Sequence, residues 1–169
     1  IFFNQTPYFL ESEFIINESK VSILTAYNNI TTNEKSRPFG IDPVTAGLSQ
    51  GFAQGDDNSL RFSGSALVNN QISLNTSNKI RYSEKSTDLL LDYINNQLNI
   101  ESNINDPNLT VGGSINDFKT KGYINMGDAR PLLDHGFVGY IHEAIIWFEL
   151  KNTSKDAFFQ NLNGYYNFI

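Results

Sequence analysis

The sequence predicts an all-β fold in which two antiparallel sheets pack as a sandwich, with a short helix near the C-terminus. Turn-forming residues such as asparagine, glycine and proline recur at the roughly 8–12-residue spacing that is typical of sandwiches and barrels. The runs between these turns are short and rich in β-branched and aromatic residues, which favour strands. Helix signals are confined to two stretches, residues 83–91 and 154–162.

The first strands are predicted from alternation of apolar and polar residues, the pattern of a strand with one buried face. Such alternation occurs at residues 21–23, 60–62 and 72–74. The run at 89–94 is more continuously apolar, which predicts a strand covered on both faces and argues against a helix over 83–91. Asn95-Asn96 then predicts a tight turn, because asparagine tolerates positive φ better than any residue except glycine.

The last predicted strand begins near Gly139, where a glycine suits close packing or a bulge. Strict alternation from this point predicts two faces. One face carries Ile141, Glu143, Ile145 and Trp147, and the other carries Tyr140, His142, Ala144, Ile146 and Phe148. Because both faces are largely apolar, we expect a central strand with Trp147 in the core. The Glu143 carboxylate is then expected to accept hydrogen bonds from a neighbouring loop, since a bare buried carboxylate is costly.

The C-terminal helix is predicted over residues 154–162. Thr153 and Asp156 have the spacing of a capping box, which marks a helix N-terminus. The apolar side chains that share one face of this helix are Phe158, Phe159 and Leu162.

Composition limits the partners and chemistries that are compatible with the chain. Its 169 residues suit one domain, and a net charge of −6 argues against a nucleic-acid groove or a polybasic membrane surface. No cysteine is present, which excludes disulfides, zinc ribbons and thiol nucleophiles, and no apolar run is long enough for membrane insertion as a helix. The abundance of asparagine, isoleucine, phenylalanine and tyrosine is typical of AT-rich genomes, such as those of low-GC bacteria, phages and large DNA viruses.

Three segments of the second half occur in a familiar order. They are the hairpin at 89–98, the run Leu109-Thr110-Val111-Gly112-Gly113, and the strand at 137–148 with its following helix and Tyr165-Tyr166. In this order they resemble the laminin G-like domains of the concanavalin A-like lectin/glucanase superfamily, over residues 89–169. One departure is Asn95-Asn96, where the family usually has Asn-Gly. The resemblance implies a concanavalin A-like jelly-roll sandwich, with residues 1–169 as one domain, a module of a larger protein.

Catalysis is not predicted. Glucanases of this superfamily carry the pattern E-x-D-x-E on a catalytic strand, and retaining glycosidases need two closely spaced carboxylates. The nearest run here, Glu11-Ser12-Glu13, has no third acid in register. The two histidines, His135 and His142, lie in a turn and a strand without the surroundings of a nucleophilic triad. A glycoside hydrolase therefore stands only as a residual alternative.

Calcium is the cofactor that the resemblance implies, because laminin G-like modules often hold this ion at the rim with acids from separate loops. Calcium prefers several oxygen ligands, which loops supply. One candidate loop carries Asp56, Asp57 and Asn58, and a second carries Asp128 close to Asn125. The alternative is that these residues are solvated turn residues.

Ligand contacts are predicted at Phe52, Tyr123, Asn125 and Arg130, since loop aromatics and polar side chains stack on and hydrogen-bond to sugars; the alternative for the aromatics is a core position. We therefore expect a non-catalytic recognition or adhesion module that binds a glycan or a protein at an extracellular, cell or virion surface. The alternative is an architectural decoration or fibre domain that contacts neighbouring subunits of an assembly.

Overall fold

The strands of the structure follow the β-branched and alternating runs of the sequence. A computed structural model describes residues 1–4, 10–14, 20–31, 37–43, 52–55, 57–62, 65–67, 77–104, 122–126 and 137–169. The strands within them are β1 (Phe2–Asn4), β2 (Leu10–Phe14), β3 (Val21–Thr31), β4 (Phe39–Pro43), β5 (Phe52–Gln54), β6 (Leu60–Phe62), β7 (Ser65–Leu67), β8 (Asn78–Lys85), β9 (Leu89–Ile94), β10 (Gln97–Asn103), β11 (Gly122–Met126) and β12 (Val138–Trp147). A 3-10 turn (Asn152–Ser154) and the helix α1 (Lys155–Tyr166) follow.

The described strands form two six-stranded antiparallel sheets. Sheet A has the order β1-β12-β3-β8-β9-β10, and sheet B has the order β2-β11-β4-β5-β6-β7. The two sheets pack face to face and α1 covers part of the outer face of sheet A, so the predicted sandwich with a C-terminal helix is confirmed. The predicted strand at 72–74 and the run at 109–113 lie outside the described residues.

Sheet A buries apolar side chains on both of its faces. Its inner face meets sheet B in a core of Val21, Ile23, Leu90 and Ile100 against Phe39, Ile41, Phe52, Leu60 and Phe62. Its outer face meets α1 in a second cluster that contains Leu24, Ala26, Ile80, Tyr82, Phe159 and Leu162. In β9, Leu90 belongs to the inner core while Leu91 is buried on the opposite face. The predicted strand covered on both faces is therefore confirmed.

The hairpin between β9 and β10 has the predicted tight turn. Asn95 and Asn96 adopt φ values of 49° and 62°, which identifies the left-handed conformation of a two-residue hairpin turn. The Asn95 side chain also accepts a hydrogen bond from the backbone N–H of Ile80 at 2.9 Å. This contact ties the turn to β8. Residues 83–91 form the end of β8, a short connection and the start of β9, and not a helix, as expected.

A β-bulge in β12 corrects the predicted faces of this strand. Ile141 pairs with Tyr27 and Glu143 pairs with Ala26, which leaves His142 as the extra residue of the bulge. Strict alternation is therefore wrong across His142: Ile141 packs on the inner face, with Ala144, whereas Glu143 lies on the outer face. Beyond the bulge, Ala144, Ile146 and Phe148 pack against the inner cores, and Ile145 and Trp147 pack toward α1.

Gly139 stands where β12 passes close to β3, as predicted. A Cβ atom at this position would lie 2.0 Å from the backbone oxygen of Asn28. The register of β12 against β3 also shifts between Val138 and Gly139. Close approach of the two backbones therefore requires the glycine.

The C-terminal helix is confirmed, but its N-terminus is not a capping box. Ser154 is the N-cap residue and its side chain makes no capping hydrogen bond. The carboxylate of Glu84 instead accepts hydrogen bonds from the backbone N–H groups of Lys151 (3.1 Å) and Asn152 (3.0 Å). A buried acid of sheet A therefore caps the 3-10 turn that leads into α1.

The apolar face of α1 docks as predicted on sheet A. Phe159 and Leu162 are buried, and the Phe158 ring stacks on Trp147 with 5.1 Å between centroids. No helix in the described ranges is long and apolar enough to cross a membrane.

Candidate functional site

The structure describes the side chain of one predicted ligand residue, Phe52. Phe52 has no exposed surface and packs between the sheets, so the expectation of an accessible ring at this position is wrong. The reason is that β5 is an inner strand of sheet B, between β4 and β6. Tyr123 and Asn125 lie in β11, between β2 and β4, and Arg130 lies outside the described residues. For these three residues, a ligand contact stays a prediction.

The predicted calcium ligands fall partly outside the described residues, where Asp56 and Asp128 lie. Asp57 already accepts a hydrogen bond from the N–H of Ser59 (3.1 Å) and pairs with Arg61 (3.4 Å). Asn58 adopts a φ of 66°, and its buried side-chain oxygen accepts no hydrogen bond within the described part of the chain. No group of three acids or histidines that could hold a metal occurs in that part, so calcium stays a prediction.

A buried ion pair fixes the loop that carries these two residues. Arg81 and Asp92 are fully buried and joined by two hydrogen bonds of 2.8 and 2.9 Å. Arg81 also donates to the backbone oxygens of Gly55 (2.6 Å) and Ser59 (2.7 Å). Burial, the largest single effect, would lower the pKa of this guanidinium, but Asp92 and Tyr27 together outweigh burial and raise the pKa. Arg81 therefore stays charged, and its bonds to Asp92, Gly55 and Ser59 join sheet A to the loop of sheet B.

A group of aromatic rings forms a second feature, which the sequence did not single out as a site. We call it the aromatic surface, and its residues are Phe2, Tyr140, His142, Tyr165, Tyr166 and Phe168. Each ring lies 4.8–6.3 Å from a neighbouring ring of the group, measured between centroids. Phe2 is 50% exposed, Tyr140 46% and Tyr165 81%. The rings thus form a continuous and accessible surface beside the end of α1.

The backbone explains why these rings meet. Phe2 and Tyr140 are register partners of neighbouring strands, so their side chains share the outer face of sheet A. The bulge keeps His142 on that face, where its ring lies 5.2 Å from Tyr166. The helix then ends at Asn167, whose left-handed φ of 54° turns the chain and brings the Phe168 ring to 5.3 Å from His142.

Polar groups border the aromatic surface. Asn28 is the register partner of Tyr140 on one side and of Asn78 on the other. Its side-chain nitrogen donates to Asn78 Oδ1 and to Ser77 Oγ. On the helix side, the Tyr166 hydroxyl donates to the Glu143 carboxylate at 3.4 Å, so the partner of this acid comes from α1 and not from the expected loop.

His142 is the titratable group at the centre of the surface. Burial lowers the pKa of its imidazole below the ordinary value, and the positive charge of the Ile1 amino group adds to this effect. At neutral pH the ring is therefore uncharged and contributes to the surface as an aromatic group. His142 and Tyr165-Tyr166 are visible in the sequence, but their approach to Phe2 depends on strand pairing between the two ends of the described chain.

Comparisons with known proteins establish the fold. No protein-family model and no curated protein sequence matches the chain. Among solved structures, a variant of NanB sialidase from Streptococcus pneumoniae is similar, with a TM-score of 0.58 and 10% identity over 92% of this chain and 26% of the sialidase chain. A receptor binding domain is also similar, with a TM-score of 0.51 and 16% sequence identity; the match covers 85% of this chain and 35% of that domain's chain. The binding domain of botulinum neurotoxin DC, in complex with rat synaptotagmin II, has a TM-score of 0.50 and 15% sequence identity. This match covers 92% of this chain and 43% of the neurotoxin chain.

This chain therefore spans less than half the length of each of these structures. The finer resemblance to laminin G-like domains stays a prediction. What the likeness establishes is that the chain has a concanavalin A-like sandwich fold.

Proposed function

We propose that this protein is a non-catalytic recognition module that binds a glycan or a surface protein through the aromatic surface. The observation that carries the proposal is the set of contacting rings on the outer face of sheet A, among which Phe2, Tyr140 and Tyr165 are about half exposed or more. Aromatic rings supply large contact areas to ligands, and large contiguous apolar patches on a protein surface mark interaction sites.

The fold supports this proposal by analogy, since fold alone does not determine function. One similar structure is a receptor binding domain, and another is a binding domain in complex with synaptotagmin II. Both are recognition units, and a ligand at an extracellular, cell or virion surface is the setting that we propose for this chain. Calcium in the loop of Asp57 and Asn58 belongs to the same proposal, and the buried, unbonded side-chain oxygen of Asn58 supports it.

A second candidate function is an architectural contact between subunits of an assembly. An exposed aliphatic side chain favours it, since Ile30 is 56% exposed. Apolar side chains of this kind are typical of an interface between protein subunits. Small-angle scattering distinguishes the two functions, since a stable oligomer supports the architectural role and a monomer supports recognition of a separate ligand.

The test is a glycan array with the wild-type protein and two variants, each in calcium and in chelator. Tyr140→Ala removes a central ring, and Leu98→Ala is the matched control because Leu98 is also exposed (43%) but lies in β10, at the opposite edge of sheet A. We expect selective binding by the wild type and by Leu98→Ala, and binding about tenfold weaker in Tyr140→Ala. Loss of glycan binding in chelator would support the proposed calcium site as well.

Two results would contradict the proposal. Equal binding by all three proteins would place the ligand away from the aromatic surface. Absence of glycan binding, together with a stable oligomer, would instead support an architectural function for the aromatic surface. Circular dichroism melting of both variants excludes unfolding as the cause of a loss.

A further inference from the structure

We infer that the aromatic surface binds an uncharged sugar chain, stacked on Phe2 and Tyr140 and hydrogen-bonded to the side-chain amides of Asn28 and Asn78. The inference rests on the proposed function and specifies the class of ligand. It concerns the outer face of sheet A, away from the loops that carry the predicted calcium ligands.

The four residues form one row across four neighbouring strands. Asn78 pairs with Asn28, Asn28 with Tyr140, and Tyr140 with Phe2. Neighbouring strands are about 4.8 Å apart, so the row is about 14 Å long. Side chains of register partners lie on the same face of a sheet, so the amides and the rings of this row face the same ligand.

Each half of the row suits one part of a sugar. The rings of Phe2 and Tyr140 are 4.8 Å apart and tilted by 39°, and both are about half exposed, so they offer a broad apolar platform. The carbon-bound hydrogens of a pyranose ring pack on such a platform. An asparagine amide both donates and accepts hydrogen bonds, as a sugar hydroxyl does, and the half-buried Asn28 amide is held in place by Asn78 and Ser77.

Charge determines which sugars fit. The cation–π pairs of the described residues, Lys79 with Tyr27, Lys85 with Phe62 and Lys155 with Tyr93, involve rings outside the aromatic surface. The nearest basic residue of α1, Lys155, lies eleven positions before Tyr166, about 16 Å along the helix axis. In β8, Lys79 and Arg81 point to the inner face, where the Lys79 ammonium lies over the Tyr27 ring.

The charged groups that do face the surface disfavour anions. Glu143 is hydrogen-bonded to Tyr166 within it, and the whole chain carries a net charge of −6. His142 is uncharged at neutral pH, because burial lowers its pKa. The amino group of Ile1 is engaged by the backbone oxygen of Ile141 at 2.8 Å. A sialic acid or a sulfate on this surface would thus lose water and approach a carboxylate, and the cation beside the surface, this amino group, is already engaged by the backbone.

The experiment compares matched pairs of oligosaccharides, each pair consisting of a neutral chain and its sialylated or sulfated derivative, by titration calorimetry at pH 7.5. We expect the acidic derivative to bind at least about tenfold more weakly than the neutral chain. Glu143→Gln removes the carboxylate and should reduce the difference in affinity between the neutral chain and its acidic derivative. Tyr140→Phe keeps the ring and should retain binding, whereas Tyr140→Ala and Asn28→Ala should weaken it about tenfold.

The outcomes separate the inference from the proposed function. Preference for the acidic derivative, abolished in Tyr140→Ala, would overturn the inference and leave the aromatic surface as the recognition site. Binding of the neutral oligosaccharide that persists in Tyr140→Ala and Asn28→Ala would overturn both the inference and the proposed function. Absence of binding to every oligosaccharide would overturn the inference, and binding of a protein ligand that Tyr140→Ala abolishes would then preserve the proposed function.

Discussion

Asp92 is the residue on which the buried polar contacts of the sandwich converge. Its carboxylate accepts hydrogen bonds from Arg81, from the Ser83 hydroxyl and, at 2.6 Å, from the Asn99 amide. All of these side chains are buried. A buried ion pair contributes little net stability by comparison with apolar residues, but removal of one partner leaves a buried charge without compensation.

We therefore expect Asp92→Asn to lower the free energy of unfolding by about 3–5 kcal/mol, because Arg81 would remain charged in the core. Asp88→Asn is the matched control, since Asp88 is exposed and its carboxylate bonds only to Thr87 within the described residues. Urea denaturation of both variants measures the difference. Similar stabilities for the two variants would show that the Arg81–Asp92 pair is not the strong link between the sheets.

Two glycines should respond to alanine in opposite directions. At Gly139 an added Cβ would lie 2.0 Å from the Asn28 oxygen, whereas at Gly164, inside α1, it would meet nothing within 4 Å. Gly139→Ala should therefore destabilise the protein, and Gly164→Ala should stabilise it by about 0.5–1 kcal/mol, because alanine is the better helix former. Thermal unfolding monitored by circular dichroism tests both. A loss of stability in Gly164→Ala would contradict the open surroundings of that residue.

At the scale of single elements, the β9–β10 hairpin assigns different roles to its two turn residues. Asn95 uses its side chain, which bonds to the backbone of Ile80 (2.9 Å) and of Asn78 (3.3 Å). Asn96 is exposed, its side chain accepts an exposed hydrogen bond from Lys155 (3.3 Å), and it contributes mainly its positive φ of 62°. Asn-Gly is the preferred pair for this type of turn.

Asn96→Gly should accordingly preserve or slightly raise stability, because glycine adopts positive φ without a steric cost. Asn95→Gly should lower it by about 1–3 kcal/mol, since the N–H of Ile80 would lose its partner in a buried position. Guanidinium denaturation curves of the two variants provide the comparison. Equal effects of both substitutions would mean that backbone conformation alone determines the turn.

The elements that could be predicted from sequence are those whose signals are local. The apolar run at 89–94, the Asn95-Asn96 turn and the apolar face of α1 each depend on residues that are close in the chain. The bulge at His142 has no such signal, because it is set by the register of β12 against β3. The polar contacts that lead into α1 have no local signal either, because the N–H groups at the start of the 3-10 turn donate to Glu84, from a distant strand.

At the scale of the whole molecule, strand pairing between distant segments builds both polar and aromatic sites. β1 pairs with β12, which brings Phe2 to Tyr140, and β8 pairs with β9, which brings Arg81 to Asp92. Residue types alone indicated Phe52 as a ligand contact, but the sheet order places it in the core. A sequence without known pairing therefore reveals which residues have suitable chemistry, whereas the topology decides which of them reach the surface.

The stability of the whole molecule should also depend on the charge of His142. Because burial lowers the pKa of this side chain, the folded protein binds fewer protons than the unfolded chain between the lowered pKa and the ordinary value of about 6.5. The stability that the neutral ring provides is complete above about pH 6.5 and is lost as the pH falls through the lowered pKa.

His142→Phe keeps an aromatic ring beside Tyr140, Tyr166 and Phe168 but removes the titration. From about pH 7.5 to about pH 5, the wild-type protein should therefore lose more free energy of unfolding than the variant, as measured by urea denaturation at each pH. The difference between the two proteins isolates the contribution of His142, because every other residue is the same in both. Parallel losses of unfolding free energy in the two proteins would mean that the imidazole is as well hydrated in the folded state as in the unfolded chain. The aromatic surface would then be more open to water than the ring contacts of His142 indicate.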